Sequence, residues 1–282
     1  MTDLHISIAP EEIQKFNLGP LGVLHFTNSM LGSCLVILVL IFWGVYIKST
    51  IHAKGMPSKP QLFVESAYQL LENITKQTIG EHRTRKYLGL VIILFLYIVL
   101  GSWFGLLPGI IHLGFSEMVN GKESFVPLLR APTTDLNATT ALALIAFCTI
   151  QYAGISELGL GKYLSKFFNF SNVGSLLLGM LELVFEFVRV LSFSFRLFGN
   201  IFAGEVLLGV IGLLSTVTFA KNQAFGSIQL PFPALIIVME FFVALIQAYV
   251  FVNLMTVFIS VAAEPPHHDK KHEELRSELA EA

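Results

Sequence analysis

Residues Tyr87–Leu107 read YLGLVIILFLYIVLGSWFGLL, a run of 21 residues without a charged side chain. An α-helix needs about 20 consecutive apolar residues to cross the hydrocarbon core of a bilayer. This stretch therefore predicts a membrane-spanning helix. A basic cluster at His82–Lys86 comes directly before it. By the positive-inside rule, that cluster places the beginning of the span on the cytoplasmic side.

The composition of the whole chain is also typical of a membrane protein. Of its 282 residues, 54% are hydrophobic and only 13% are charged, whereas about 25% of residues are charged in a soluble domain. The formal net charge of −2 gives no electrostatic basis for binding nucleic acid. The two cysteines, Cys34 and Cys148, lie inside apolar runs, which excludes a disulfide framework and a cysteine-ligated metal site. We therefore expect a polytopic membrane protein with no cofactor and no metal ion.

Two further apolar runs have the length of one span. They are Leu31–Ile47 and Ala138–Ile155, and lysines follow each of them. If these lysines share the cytoplasmic side with the basic cluster before Tyr87, the three spans alternate in direction. Residues 1–30 then lie outside the cytoplasm. The stretch between the second and third spans, residues 108–137, is a polar connection.

Residues 57–80 show a different pattern. Pro57, Ser58 and Pro60 indicate the start of a helix. Apolar residues then recur at helical spacing along one face, while charged residues occupy the other positions. We predict an amphipathic helix that lies along the membrane interface and does not span the bilayer.

The last two apolar runs, Val173–Ala220 and Pro231–Ala263, are longer than one upright span requires. Each is therefore expected to be strongly tilted, broken or folded as a hairpin. An even number of further crossings returns the polar tail, residues 264–282, to the cytoplasm. The sequence thus predicts a single all-α membrane domain with about five membrane helices and one interfacial helix. Within it, residues 173–263 are expected to form a helical hairpin.

Ionisable side chains interrupt these two long runs. Such a side chain costs about 2.5–3.5 kcal/mol at the bilayer centre, so each must be paired, hydrated or functional. Glu182, Glu186 and Arg189 lie on one helical face, which lets Arg189 be neutralised within its own helix. This trio fits either a structural ion-pair ladder or a role in ion passage.

Arg196 differs because no acidic residue lies within one helical turn of it in the sequence. A guanidinium stays charged in proteins, so its counter-ion must come from another helix or another chain. One interpretation is a fixed ion pair with Glu240. The other is a cation without a fixed partner, which pairs only transiently with a carboxylate. Small residues near Arg196 permit the close approach of another helix, namely Gly199, Ala203 and Gly204.

Three stretches of this sequence resemble subunit a of F-type ATP synthase. Ser192–Glu205 reads SFSFRLFGNIFAGE and strongly resembles the signature of that family. Pro132–Leu144 (PTTDLNATTALAL) and Ala244–Ser260 (ALIQAYVFVNLMTVFIS) agree with it in order and spacing. The resemblance implies a non-catalytic stator subunit of the membrane sector that conducts protons. It also implies its partners, which are a ring of c subunits, b-type peripheral stalk subunits, the whole complex and the lipid bilayer.

The resemblance implies a role for each matching residue. Arg196 matches the essential arginine of the family, which faces the ring. The outer half-channel is matched by Asn200, Glu205 and Gln247, and Glu240 lies where some members carry histidine. Because positions 205 and 240 are both Glu here, the order of proton transfer between them stays open.

Further matches lie along the inner half-channel and beneath the outer opening. Glu182 and Ser192 match the inner half-channel, and Asp135 and Asn137 match the polar start of the third span. The residues expected to take part in proton translocation are Arg196, Glu205, Glu240, Gln247, Asn200, Ser192, Glu182, Glu186, Asp135 and Asn137.

Two other classes of function remain open at the level of the sequence. One is a secondary transporter whose Glu and Arg groups bind a solute, although no internal repeat supports it. The other is a scaffold whose charges only pair with one another. The lysine-bearing loops and the polar tail favour a bacterial plasma membrane over a mitochondrial inner membrane. The sequence leaves the coupling ion open between H⁺ and Na⁺.

Overall fold

The computed structural model describes residues 12–17, 23–50, 59–107, 114–119, 122–167, 173–221 and 231–264. Within these ranges the helices are α1 (Asn28–Thr50), α2 (Lys59–Leu106), α3 (Leu136–Leu158), α4 (Leu160–Phe167), α5 (Val173–Lys221) and α6 (Pro231–Ala262). A 3₁₀ turn at Pro132–Thr134 precedes α3. The strands form two antiparallel hairpins, β1 (Glu12–Asn17) with β2 (Val23–Thr27) and β3 (Gly114–Val119) with β4 (Lys122–Pro127).

Five helices of the described chain are long and apolar enough to cross a membrane, namely α1, α2, α3, α5 and α6. This confirms the predicted all-α polytopic architecture. The two hairpins were not predicted from the sequence, and they lie outside the apolar runs. Residues 1–11 of the N-terminal segment and 265–282 of the tail lie outside the described residues.

The predicted interfacial helix and the predicted second span are the two halves of α2. Gly80 separates them with φ 79° and ψ 164°, a conformation that glycine adopts without a steric penalty. The chain is helical from Lys59 onward, whereas residues 57 and 58 lie outside the described part. The position of the first half of α2 along the membrane interface stays a prediction.

Helices α5 and α6 are each continuous over their whole length. The 49 residues of α5 correspond to a helix of roughly 70 Å at 1.5 Å per residue. Because this exceeds the thickness of a bilayer core of about 30 Å, a strongly inclined helix fits better than a broken one. The two helices pack against each other.

The core lies where α2, α3, α5 and α6 meet. Ile98, Ile150, Leu197 and Met255, one from each helix, are fully buried there. Small residues line the same contacts and let the helix backbones approach closely, namely Ala143, Ala146, Ala153, Ala244 and Ala248. This packing sets the register of α5 against α6.

The segment that leads into α3 is tightly held by α1 and α2. A Cβ at Gly32 of α1 would overlap the backbone carbonyl of Arg130. A Cβ at Gly105 of α2 would likewise overlap the side chain of Ala131. The close approach of both helices therefore requires glycine, and it fixes the backbone from Arg130 to the start of α3.

Candidate functional site

Arg196 lies in the middle of α5 with an exposed side chain. Its Nη2 donates a hydrogen bond to Ser192 Oγ at 3.2 Å. Among the described residues, no carboxylate forms an ion pair with its guanidinium. The alternative interpretation, a fixed pair between Arg196 and Glu240, is therefore not what the structure shows.

Glu240 of α6 is buried, with 5% of its surface exposed. Its carboxylate lies against the backbone of Gly204 in α5, and a Cβ on residue 204 would overlap it. Within the described ranges, no side chain or backbone group forms a hydrogen bond or ion pair with this carboxylate. A buried carboxyl group without a partner is costly, so Glu240 is a candidate functional group.

Asn200 of α5 and Gln247 of α6 form a direct hydrogen bond between the two helices. Asn200 Nδ2 donates to Gln247 Oε1 at 2.7 Å. Gln247 is 5% exposed, and its Nε2 has no hydrogen-bond partner among the described residues. Glu240 precedes Gln247 by two helical turns on the same face of α6. Asn200, Gln247 and Glu240 thus line a polar seam between α5 and α6.

Glu205 turns its carboxylate away from this seam. Its Oε2 accepts a hydrogen bond from Nη2 of Arg130 at 3.3 Å. Arg130 also donates from Nε to Thr134 Oγ1 at 3.1 Å. Arg130 was not among the predicted site residues, although it is the only arginine in the polar connection, residues 108–137.

Asp135 is the N-cap of α3 and links that helix to α1. Its Oδ1 accepts from the backbone N–H of Asn137 at 2.9 Å, which satisfies a free donor at the helix start. Its Oδ2 accepts from Ser29 Oγ at 2.5 Å. The side chain of Asn137 itself is exposed. Both residues therefore lie at the start of the third span, as predicted, and Asp135 also serves as the helix cap.

Glu186 lies in a buried cluster formed by α3, α4 and α5. Arg189 Nη1 donates to its Oε1 at 2.7 Å, and Gln151 Nε2 donates to its Oε2 at 2.9 Å. The hydroxyl of Tyr163 in turn donates to Gln151 Oε1. The Arg189 guanidinium lies 4.0 Å from the ring centroid of Phe258. The cluster shows that Arg189 is neutralised within its own helix by Glu186.

Glycine at two positions brings α4 into this cluster. Gly159, with φ 78°, ends α3 and lets the chain turn into α4. The ring of Tyr163 then packs where a Cβ at Gly154 would be. Burial, with the nearby charge of Glu186, raises the pKa of Tyr163 to about 12. Burial also lowers the pKa of Lys166, whose Nζ donates to the backbone oxygen of Ala262 at 3.0 Å.

The remaining predicted site residues, Glu182 and Ser192, are exposed on α5. Glu182 forms no ion pair with another described residue, so only Glu186 of the predicted ladder pairs with Arg189. In the part of the chain that the structure describes, no group of three or more His, Cys, Asp or Glu side chains is placed to hold a metal ion.

Comparison with known proteins gives the same family as the signature residues. The family model described as "ATP synthase A chain" matches residues 30–260. The protein named "ATP synthase subunit a" of Gloeobacter violaceus is 33% identical over 268 residues, which cover 94% of this chain and 95% of that relative. The matched region covers the five long apolar helices except residues 28–29 of α1 and 261–262 of α6, and it contains every predicted site residue. The chain therefore belongs to the ATP synthase A chain family and is a multi-pass membrane component of a proton-translocating F-type ATP synthase.

Proposed function

We propose that this chain is the stator subunit that supplies two offset half-channels to the carboxylates of a c-subunit ring, with Arg196 between them. The observation that carries this proposal is the exposed guanidinium of Arg196, which has no carboxylate partner among the described residues. Since arginine stays charged and an unpaired charge in a membrane is costly, its counter-ion must come from another chain. A ring carboxylate supplies that counter-ion.

The surface around Arg196 supports the docking of another helix. Gly199, one turn further along α5, is exposed, and a Cβ there would meet no atom of this chain within 4 Å. Phe195, next to Arg196, is exposed as well. Small residues and exposed apolar side chains are typical of helix contacts in membranes. This face of α5 is therefore open to the ring.

The polar seam and the Arg130–Glu205 pair support an outer half-channel. A proton that enters from outside passes the carboxyl groups of Glu205 and Glu240 and the amides of Asn200 and Gln247. Gln247 Nε2 and the carboxylate of Glu240, which have no partner among the described residues, offer places for water and protons inside the seam. Hydrated polar groups between helices are the usual lining of a proton path in membranes.

Exposed polar groups on the earlier turns of α5 support an inner half-channel. A proton released near Arg196 leaves past Ser192 and Glu182, both exposed on that helix. Glu186 is held by Arg189 and Gln151. Of the two interpretations of the Glu182–Arg189 trio, this arrangement favours a structural ion pair at Glu186 and a transport role at Glu182.

Rotation follows from the charge state of the ring carboxylate. A proton from the outer half-channel neutralises it, so it can turn into lipid without burying a charge. When the carboxyl group reaches Arg196, the positive charge favours its ionised form and the proton leaves inward. Arg196 also repels cations that would cross directly from one half-channel to the other. The driving energy is about 2.3 kcal/mol per charge per 100 mV.

We further propose a placement in the bacterial plasma membrane, with residues 1–30 outside and the C-terminal tail in the cytoplasm. The basic residues around His82–Lys86 and the relative from Gloeobacter violaceus support this placement. Exposed apolar side chains on α1, such as Leu38 and Phe42, offer a surface for the b-type peripheral stalk subunits of the complex.

The two half-channels can be tested by the side from which thiol reagents reach them. In a chain whose Cys34 and Cys148 are replaced by Ser, single changes Glu205→Cys and Glu182→Cys are labelled with a membrane-impermeant maleimide. We expect Glu205→Cys to react only from outside and Glu182→Cys only from the cytoplasmic side. Reaction of both from the same side would contradict the proposal. Val188→Cys, an exposed apolar position on α5 between the two tested positions, is the control that should stay unreactive from either side.

A further inference from the structure

Arg130 is a nearly buried cation outside the five long helices. Its side chain is 9% exposed, whereas that of Glu205, its ion-pair partner, is 37% exposed. The guanidinium donates hydrogen bonds to Thr134 Oγ1 at 3.1 Å and to Glu205 Oε2 at 3.3 Å. Burial of a charged side chain is costly unless it is paired, and Glu205 is an ion-pair partner of Arg130.

The backbone around Arg130 is fixed on several sides. The carbonyl of Arg130 lies against Gly32 of α1, and the next residue, Ala131, lies against Gly105 of α2. Thr134 Oγ1, which accepts from Arg130, itself donates to the Ala131 carbonyl at 2.9 Å. The guanidinium therefore projects from a rigid segment, while the Glu205 side chain is long and partly exposed. Of the two partners, Arg130 is the fixed one.

The carboxylates of Glu240 and Glu205 lie in different places, although Gly204, on which Glu240 packs, is the neighbour of Glu205 in α5. The Glu240 carboxylate packs on Gly204, inside the seam between α5 and α6. The Glu205 carboxylate points to Arg130, in the segment that leads into α3. Without Arg130, nothing else in the described chain forms an ion pair with Glu205. Its side chain would then be free to take other rotamers, including ones nearer the like charge of Glu240.

We infer that Arg130 is a positioning residue for proton entry, which holds the Glu205 carboxylate toward the outer connection and apart from Glu240. The inference rests on the proposed function, because it assumes that Glu205 takes part in the outer half-channel. Arg130 itself carries no proton in this account. It acts through the position of Glu205, so its effect depends on the presence of that carboxylate.

A double-mutant cycle tests this dependence. ATP-driven acidification is measured in inverted membrane vesicles for Arg130→Gln, Glu205→Gln and the double variant, at equal amounts of assembled complex. We expect Arg130→Gln to lower the rate roughly fivefold, and the double variant to be no slower than Glu205→Gln alone, because contacting groups are not additive. Arg130→Lys, which keeps the cation, should recover part of the rate. Arg85→Gln changes an exposed arginine elsewhere and is the matched control.

The possible outcomes separate this inference from the proposed function. If Glu205→Gln pumps at the normal rate, the role of Glu205 in the half-channel is wrong. If Glu205→Gln is impaired but Arg130→Gln pumps normally, the role of Arg130 alone is overturned. Losses that multiply in the double variant would also overturn it, because Arg130 would then act independently of Glu205. Should Arg130→Gln fail to assemble, the same cycle with Arg130→Lys gives the decision.

Discussion

The carboxylate of Glu240 lies directly against the backbone of Gly204, in the space that a Cβ at position 204 would occupy. This contact places a buried acidic group in the interface between α5 and α6. It exists only because residue 204 has no side chain. The glycine thereby makes room for the carboxylate, in addition to allowing the two helices to approach.

Gly204→Ala should displace the Glu240 carboxylate while leaving the fold in place, because the atoms that must move are the end of a flexible side chain. We expect ATP-driven pumping to fall about tenfold or more, since small displacements of a functional group are costly. Gly212→Ala is the matched control on the same helix, where a Cβ meets nothing within 4 Å. Equal pumping by the two variants would show that the position of Glu240 does not matter.

Gln247→Leu should slow pumping severalfold, because it removes the acceptor of the Asn200 hydrogen bond and the free Nε2 from the seam. An apolar side chain at this buried position offers no group for water or protons. The control is Asn253→Leu on the same helix, because the Asn253 side chain makes no hydrogen bond in the described part of the chain. Rates are compared in inverted vesicles. A normal rate for Gln247→Leu would remove the seam from the proton path.

Asp135→Ala should destabilise the chain by about 1–2 kcal/mol, which is the usual cost of losing a helix cap. The loss of the Ser29 hydrogen bond adds to this cost. Asn137→Ala should cost little because that side chain is exposed. The measurement is the temperature at which the detergent-solubilised complex loses this subunit. If the two variants dissociate at the same temperature, the cap and its link to α1 are not stabilising.

Tyr163 contributes a pH dependence of stability that the Tyr163→Phe variant isolates. Its pKa is raised from 10.0 to about 12 in the folded chain. Between these values the folded state binds more protons than the unfolded state, so stability falls as the pH rises through this window. The Tyr163→Phe variant should therefore lose less stability than wild type over this pH range. We would compare the dissociation temperatures of the two proteins from pH 9 to pH 12.

The control for this comparison is Tyr152→Phe, because the Tyr152 side chain is exposed on α3. That variant should follow the wild-type curve. If Tyr163→Phe follows it as well, the phenol of Tyr163 is not buried in the way described. The buried hydrogen bonds from Tyr163 through Gln151 to Glu186 would then need revision.

The membrane helices could be predicted because each corresponds to a continuous apolar run in the sequence. The charges within α5 and α6 were equally visible, and the neutralisation of Arg189 followed from helical spacing. The β3–β4 hairpin had one signal, the dipeptide Asn120-Gly121 between two short strands, which often marks a hairpin turn. Strands of six residues in a polar connection do not stand out otherwise.

The partners of the site residues could not be predicted from local patterns. Arg130 and Glu205 are 75 positions apart, and Asn200 and Gln247 are 47 apart. Helical periodicity predicts which face of its helix a residue occupies, but it does not predict which residue of another helix it contacts. That choice depends on the packing of α5 against α6 and on how α1 and α2 hold the segment before α3.

The most direct test of the account is ATP-driven acidification of inverted membrane vesicles from wild type and from Arg196→Ala, with equal amounts of assembled complex. Arg196→Ala leaves the other contacts of the described chain in place, since Arg196 bonds only Ser192 among these residues. We expect acidification to disappear while the complex stays assembled. Acidification at the wild-type rate would contradict it, because Arg196 would then not be the charge that separates the half-channels.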